Sequence, residues 1–239
     1  MAWRCSGSTN AQLVENLWRN GLITDTRARA AFLKVDRAHY APVQPYEDSP
    51  QSIGYHATIS APHMHAMAIE NVISHLVPSE KNPAPRVLDV GSGSGYLTHL
   101  FAELVGPRGL VVGLEHLNPL RDLGQSNMQK SNEGKQLLDS GKVKFRLGDG
   151  RMGLHEPAIS GEEDQGTGWN VIHVGASAKI LHSALMQQLK APGCMFIPLD
   201  DDDTGTEQSV WRISKDESGV VSKENLCAVR YVRLTDPPV

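Results

Sequence analysis

Cysteine, basic excess and long apolar runs are all scarce in this sequence. Three cysteines, Cys5, Cys194 and Cys227, leave an odd thiol and make no C-x-x-C pair. That argues against a disulfide framework and a zinc knuckle. It predicts reduced thiols, a cytoplasmic protein and no metal site. Lysine and arginine total 23 against 27 aspartate and glutamate, a net charge of −4. Nucleic-acid binders carry a basic excess or run to neutralise phosphates, so no nucleic-acid partner is expected. No uncharged apolar run reaches the roughly 18 residues of a membrane span. Met1–Cys5 lacks the apolar stretch of a signal peptide. No membrane partner is expected, and the lack of a long exposed apolar pattern leans toward a monomer.

What is present suffices for one substantial core. The 239 residues are 40% hydrophobic, and α/β chains of this size are often one domain. Residues 1–80 read as an N-terminal helical cap segment and 81–239 as the α/β core. Leu13, Val14, Leu17 and Trp18 share a helical face within 11–20, and Gly21 can end that helix. A short helix is expected over 25–35, then an irregular stretch from Tyr40 to Tyr55. Met64, Ala68, Val72 and Leu76 recur at helical spacing, with Pro62 suited to the first turn and Ser60 able to cap it.

From Arg86 the pattern becomes strand–helix alternation. Strands are predicted at 86–90, 110–115, 142–147, 169–174 and 194–199. Helices are predicted at 96–105, 118–130 and near 178–190, the last stopped by Pro192-Gly193. Such alternation implies a doubly wound, mostly parallel sheet. Ser209–Ile213 and Leu226–Leu234 read as an antiparallel hairpin added to its edge. Gly161–Gly168 is expected to be a mobile loop by composition, and the acids Asp200–Asp203 a solvated turn.

The most informative segment is Asp89-Val90-Gly91-Ser92-Gly93-Ser94-Gly95, between a predicted strand and a predicted helix. Glycines there let the backbone turn sharply and approach a ligand. A dinucleotide fingerprint would place glycine at position 96, which is Tyr96, and a P-loop would need G-K-[ST]. The acid Asp89 disfavours pyrophosphate and suits a cationic ligand without phosphates, such as S-adenosyl-L-methionine. Glu115, ending the second strand, can accept from both ribose hydroxyls. Asp149 and Gly150, after the third strand, suit the adenine amino group and ring.

Asp48–Gly54, Ala57–His65, Asp89–Gly95, Gly148–Gly153 and Ile172–Ala176 together resemble the protein-L-isoaspartate (D-aspartate) O-methyltransferases, over about residues 10–236. The segment Thr58–His65 is the specific part, since other methyltransferases share only the glycine loop. The resemblance implies a Rossmann-like class I methyltransferase fold with extra N-terminal helices. It implies methyl transfer from S-adenosyl-L-methionine, leaving S-adenosyl-L-homocysteine, to the free carboxylate of L-isoaspartyl and D-aspartyl residues in damaged proteins and peptides.

Site roles follow from the same resemblance. Ser60 is implied to be catalytic, at the acceptor carboxylate. The implied cofactor contacts are Thr58, Ile59, Ser60 and His65, with Asp89, Gly91, Ser92 and Gly93 in the loop. Glu115, His116 and Leu117 follow on the second strand, then Asp149, Gly150 and Thr235. Ile59, Ser60, Ala61 and Pro62 would form the peptide groove with His173, Val174, Gly175 and Ala176. Relatives often carry Asp where Glu115 stands, and they run on to a glutamine near the cofactor. This sequence ends at Pro237-Pro238-Val239, so that contact is expected to be missing or replaced.

Blander readings stand beside these. Ser60 alone reads as a helix cap, and His63-x-His65 as packing or cofactor contact. Two further functions stay open: methylation of a small-molecule acid, and a cofactor-binding protein with weakened turnover.

Overall fold

The computed structural model describes residues 5–157, 168–201 and 206–235. Two helices open the chain. In α1 (Asn10–Arg19) the Thr9 side chain accepts from the Gln12 N–H, and Leu13, Val14 and Leu17 are buried. In α2 (Thr26–Lys34) Asp25 caps the first turn. A 3-10 turn at Arg37–His39 follows. The stretch expected to be irregular then ends in a hairpin, β1 (Gln51–Gly54) with β2 (Ala57–Ile59). Its two-residue turn is Tyr55-His56, both at positive φ (53° and 59°). That is the backbone of a type I′ turn, which glycine and asparagine normally supply, so neither residue announces it.

Helix α3 (Pro62–Leu76) starts one residue later than a Ser60 cap requires. Its N-cap is Ala61, which makes no side-chain cap bond, and Pro62 sits in the first turn. Pro62 needs no N–H partner there.

The remaining elements alternate. They are β3 (Arg86–Val90), α4 (Tyr96–Leu104), β4 (Leu110–Glu115), α5 (Asn118–Met128), α6 (Asn132–Asp139), β5 (Val143–Leu147), β6 (Trp169–Val174), α7 (Ser183–Gln188), β7 (Leu189–Asp200), β8 (Gln208–Lys215) and β9 (Val221–Val229). Their sheet order is β5-β4-β3-β6-β7-β8-β9. Pairing is parallel from β5 to β7 and antiparallel through β8 and β9. The doubly wound sheet with a C-terminal hairpin is therefore observed.

The structure departs from the sequence pattern in three further places. Helix α6 was not read. The helix expected near 178–190 shrinks to α7. Pro192-Gly193 does not precede the fifth strand but lies inside it. There Trp169 pairs with Leu189 and Val171 with Cys194, so the intervening β7 residues bulge. A proline without an N–H is tolerated at such a bulge. The segment Gly161–Gly168, apart from Gly168, and Asp202 and Asp203 of the acidic run lie outside the described residues.

Strand side chains alternate between two cores, as period 2 requires. Val87, Val111 and Val171 join Leu17, Phe32, Ile69 and Phe101 on one face. Leu88, Val112 and Ile172 join Trp169 and Leu185 on the other. All residues of β3, β4 and β6 are buried. Chain order reverses between β3 and β6, so a crevice opens at their carboxyl ends.

Candidate active site

At that crevice β3 gives way to the glycine loop. Gly91, Gly93 and Gly95 have φ of 72°, 48° and 82°, the left-handed region that side chains disfavour. A Cβ on Gly95 would also lie 2.9 Å from the Gly124 carbonyl oxygen, so only glycine lets α4 start against α5. The Gly91 and Ser92 N–H groups donate to the Leu114 carbonyl at 2.8 and 3.2 Å. The Gly93 N–H donates to Glu115 Oε2 at 3.1 Å. Glu115 Oε1 accepts from the His116 backbone N–H and faces His116 Nδ1, both at 2.8 Å. This buried carboxylate ties loop to strand, yet an ionised carboxylate has about four lone-pair sites to offer.

Asp89 is 1% exposed. Its Oδ2 accepts from Thr98 Oγ1 at 2.6 Å, and its Oδ1 faces His173 Nδ1 at 2.8 Å. It thereby locks the loop to α4 and β6. Asp149 caps a 3-10 turn, Gly150–Met152. Arg151 grips it, from Nε to Oδ1 at 2.9 Å and from Nη2 to Oδ2 at 2.7 Å. Those hydrogen bonds hold the Asp149 carboxyl below its usual range. Gly148 and Gly150 border a small recess beside Val90 and Leu114. A Cβ on Gly150 would meet Val90 Cγ1 at 2.3 Å, so its first reason is packing against β3.

A cavity of about 610 Å³ lies over the loop. Gly91, Gly93, Glu115 and Leu117 border it below, and Tyr55, His56 and Thr58 of the hairpin border it above. Its far wall is the strap Val232–Thr235. Ser177 accepts from the Leu234 N–H at 2.8 Å and donates its own N–H to Val232 at 2.7 Å. Thr235 Oγ1 lies 3.3 Å from His116 Nε2. Residues expected to extend the edge hairpin to Leu234 have left the sheet after Val229 to make this wall.

A second pocket, of about 280 Å³, lies on the other side of Thr58 and Ser60. His63 and Tyr231 line it with Ser60. Burial pushes the Tyr231 hydroxyl up to about 12, and the neighbouring Ser60 side chain partly offsets this. Buried Asp48 fixes His63, accepting from its N–H at 2.9 Å and facing its Nδ1 at 2.8 Å. Behind Ser60 lies Arg37, whose Nη2 donates to the Ser60 carbonyl at 2.8 Å. Arg37 Nη1 is 3.3 Å from His65 Nδ1. Burial first, then the Arg37 charge, hold the His65 imidazole well below its usual range. It is therefore neutral. With Nδ1 accepting from Arg37, its Nε2 carries the proton.

A family model for the protein-L-isoaspartate(D-aspartate) O-methyltransferases matches residues 8–238. The chain belongs to this family. The protein-L-isoaspartate O-methyltransferase of Caenorhabditis elegans is 44% identical, with 98% of this chain and 96% of that one aligned. The one from Triticum aestivum is 40% identical, with 95% and 91% aligned. A crystal structure of a candidate protein-L-isoaspartate O-methyltransferase from Plasmodium falciparum, in complex with S-adenosyl-L-homocysteine, superposes with a TM-score of 0.81. It is 32% identical and covers 96% of this chain and 99% of that one.

Most of the residues singled out by sequence divide between the cavities, whereas Asp149 borders none of those described and is held by Arg151. Thr58, Gly91, Gly93, Glu115, His116, Leu117 and Thr235 border the large cavity. Ile59, Ser60, His65, Asp89 and Ser92 gather around a small pocket beside the loop. Of the expected groove residues, Ser60 and Ala61 line the second pocket. His173 and Gly175 face the loop side, Ala176 faces the large cavity, and Val174 is in the core. Ile59 and Pro62 are buried. The second pocket's other wall, Ala228–Val232, was not anticipated, nor were Arg37, Asp48 and Tyr231. Asp48 stood inside a matching segment. Arg37 and Tyr231 carry no local pattern that sets them apart.

Proposed function

We propose that Ser60 orients the acceptor carboxylate at the wall between the small pocket beside the glycine loop and the second pocket. The chain is an S-adenosylmethionine-dependent protein carboxyl O-methyltransferase. It methylates the free carboxylate of isoaspartyl residues in damaged proteins, the family's D-aspartyl substrates included, and so initiates their repair. One observation carries the assignment of roles: Thr58 and Ser60 border both the pocket beside the glycine loop and the pocket on the far side.

The residues present fit the cofactor. Ser92 Oγ is buried beside the loop without a hydrogen-bond partner. The large cavity falls in the range of roughly 300–1,000 Å³ usual for small ligands. Asp89 and Glu115 supply negative charge beside the loop, which suits a ligand that carries a sulfonium and an ammonium group. The bound cofactor supplies an activated methyl group on a sulfonium. The protein's task is then positioning. A carboxylate is already ionised near neutral pH, with a reference pKa of about 4, so no residue has to remove a proton. Ser60, beside Tyr231 and held by Arg37 at its carbonyl, hydrogen-bonds one carboxylate oxygen and leaves the other to attack. Glu115 takes the ribose hydroxyls, and Thr235 closes the strap over them. Peptide lies between Ser60–Ala61 and Ala228–Val232, where backbone path rather than charge selects isoaspartate.

The reading extends to a single-domain monomer acting in the cytoplasm on proteins, not nucleic acids or membranes. One core joining Leu13 to Phe196 supports the single domain. The net charge of −4 supports protein partners, and free Cys5, Cys194 and Cys227 suit a reducing compartment. The deciding experiment offers an isoaspartyl peptide and its normal aspartyl counterpart and counts base-released methanol. The isoaspartyl peptide alone should be labelled; equal labelling would refute backbone selection.

A further inference from the structure

Arg37 is 0% exposed, and among the described residues no carboxylate lies within ion-pair distance of it. Its partners are neutral: the Ser60 carbonyl at 2.8 Å, His65 Nδ1 at 3.3 Å and the face of Tyr96 at 5.1 Å. Its Nε is buried with no acceptor. Burying a cation without a paired anion is costly, and such charges are normally paired. Burial lowers Arg37 to about 10, with Tyr96 and the buried Asp48 carboxylate pushing the other way, so the guanidinium is charged at neutral pH.

We propose that Arg37 is a positioning residue whose positive charge, with no carboxylate among the described residues in direct contact and only the more distant Asp48 to offset it, draws the isoaspartyl carboxylate to Ser60. The inference rests on the placement of the acceptor at Ser60. The charges are laid out to suit the reaction. Asp89 and Glu115 lie on the cofactor side; Arg37 lies behind the acceptor side, where the one buried carboxylate nearby, Asp48, is committed to His63. In the reaction a carboxylate oxygen forms a bond to the methyl carbon as the carbon–sulfur bond breaks. The electron pair of that bond goes to sulfur, so one negative and one positive charge disappear together. No proton moves. A fixed cation behind Ser60 therefore favours the anionic substrate over the neutral ester. It also disfavours the sulfonium cofactor relative to the uncharged thioether product.

Three measurements test this. First, the wild-type enzyme with S-adenosylhomocysteine should bind an isoaspartyl peptide more tightly than its α-carboxamide analogue. The expected preference is roughly ten- to fiftyfold, the scale of one charge acting across several ångströms of protein interior. Second, Arg37→Met should abolish most of that preference and raise the peptide KM by a similar factor. Its kcat should not fall, because the cation holds the ground-state anion more strongly than a transition state in which that charge is being lost. Third, calorimetry should show the affinity ratio of S-adenosylmethionine to S-adenosylhomocysteine shifting toward S-adenosylmethionine in Arg37→Met. Arg37→Lys, which keeps the charge, should restore both the carboxylate preference and the ratio.

Equal binding of the two peptides by the wild type would overturn the proposal, whether or not Arg37→Met folds. So would a folded Arg37→Met with an unchanged KM. Equal losses for both cofactor forms without rescue by lysine would leave Arg37 a purely structural residue. Ser60→Ala run in parallel separates this from the underlying reading. If that variant turns over normally, the acceptor is not placed by Ser60, whatever the Arg37 variants show.

Discussion

The Ser60 hydroxyl is not spent on capping α3, because its neighbour Ala61 is the N-cap. Had Ser60 been the N-cap, its oxygen would be occupied by the backbone N–H groups of α3. Ser60→Ala is therefore expected to leave α3 and cofactor affinity nearly unchanged. Turnover should fall roughly ten- to hundredfold, the scale of one hydrogen bond to a charged group. Methanol release and calorimetry on the same variant check both halves. Glu115 differs in kind, since its carboxylate holds Gly93 and His116 as well as facing the cavity. Glu115→Ala should weaken S-adenosylmethionine binding by about 1–3 kcal/mol. Titration calorimetry giving wild-type affinity would mean the ribose is held elsewhere.

The hairpin β1–β2 shows how an element can trade stability for a site. Tyr55 and His56 occupy positive-φ positions in its turn, and both border the large cavity. A residue other than glycine held there costs roughly 1–2 kcal/mol. His56→Gly recovers that but loses roughly 0.5–1 kcal/mol to chain entropy. The expected outcome is a small rise in Tm, no more than about 2–4 °C, with weaker cofactor binding from the lost wall. A fall in Tm would mean that the imidazole contributes more by packing than the turn loses by strain. The hairpin was not legible in sequence because its turn lacks the usual glycine or asparagine. Helices α1, α2 and α3 were legible because their apolar faces repeat at 3.6 residues. Within the strap, residues up to Leu234 read as strand, yet their partner Ser177 lies far away in sequence.

At the scale of the whole molecule, pH should act in two windows. His65 is held low by burial and by Arg37, with His173 and His63 adding to the effect. An unfolded histidine titrates near 6.5. Below that pH the unfolded chain binds a proton that folded His65 refuses, so stability falls as pH drops. His75 and His182 are also lowered by burial and act in the same direction. The carboxylates come later. Asp25 is lowered to about 2 by Arg27. In Glu156 burial alone would raise the pKa, and Arg146 and Lys144 outweigh it. A lowered carboxylate contributes stability above its unfolded pKa near 4 and loses it as pH falls toward its folded value. Melting curves from pH 8 to 5 should therefore slope less steeply for His65→Gln than for wild type. Parallel curves would show that His65 is not the group responsible.

The sequence by itself determined the alternation of strand and helix, the glycine loop with its acids, and through the Thr58–His65 segment the family and its chemistry. These are local patterns: period, turn chemistry and residues that must be close in the chain. Only the tertiary structure decided which of those residues share a cavity. It turned His173 and Gly175 toward the cofactor side and gave the opposite wall of the Ser60 pocket to Ala228–Val232. It tied Asp149 to Arg151. It also placed Arg37 beneath Ser60, where a residue with no distinguishing pattern became a buried charge. Burial and partner charge are properties of packing between distant segments, and no periodicity in the chain encodes them.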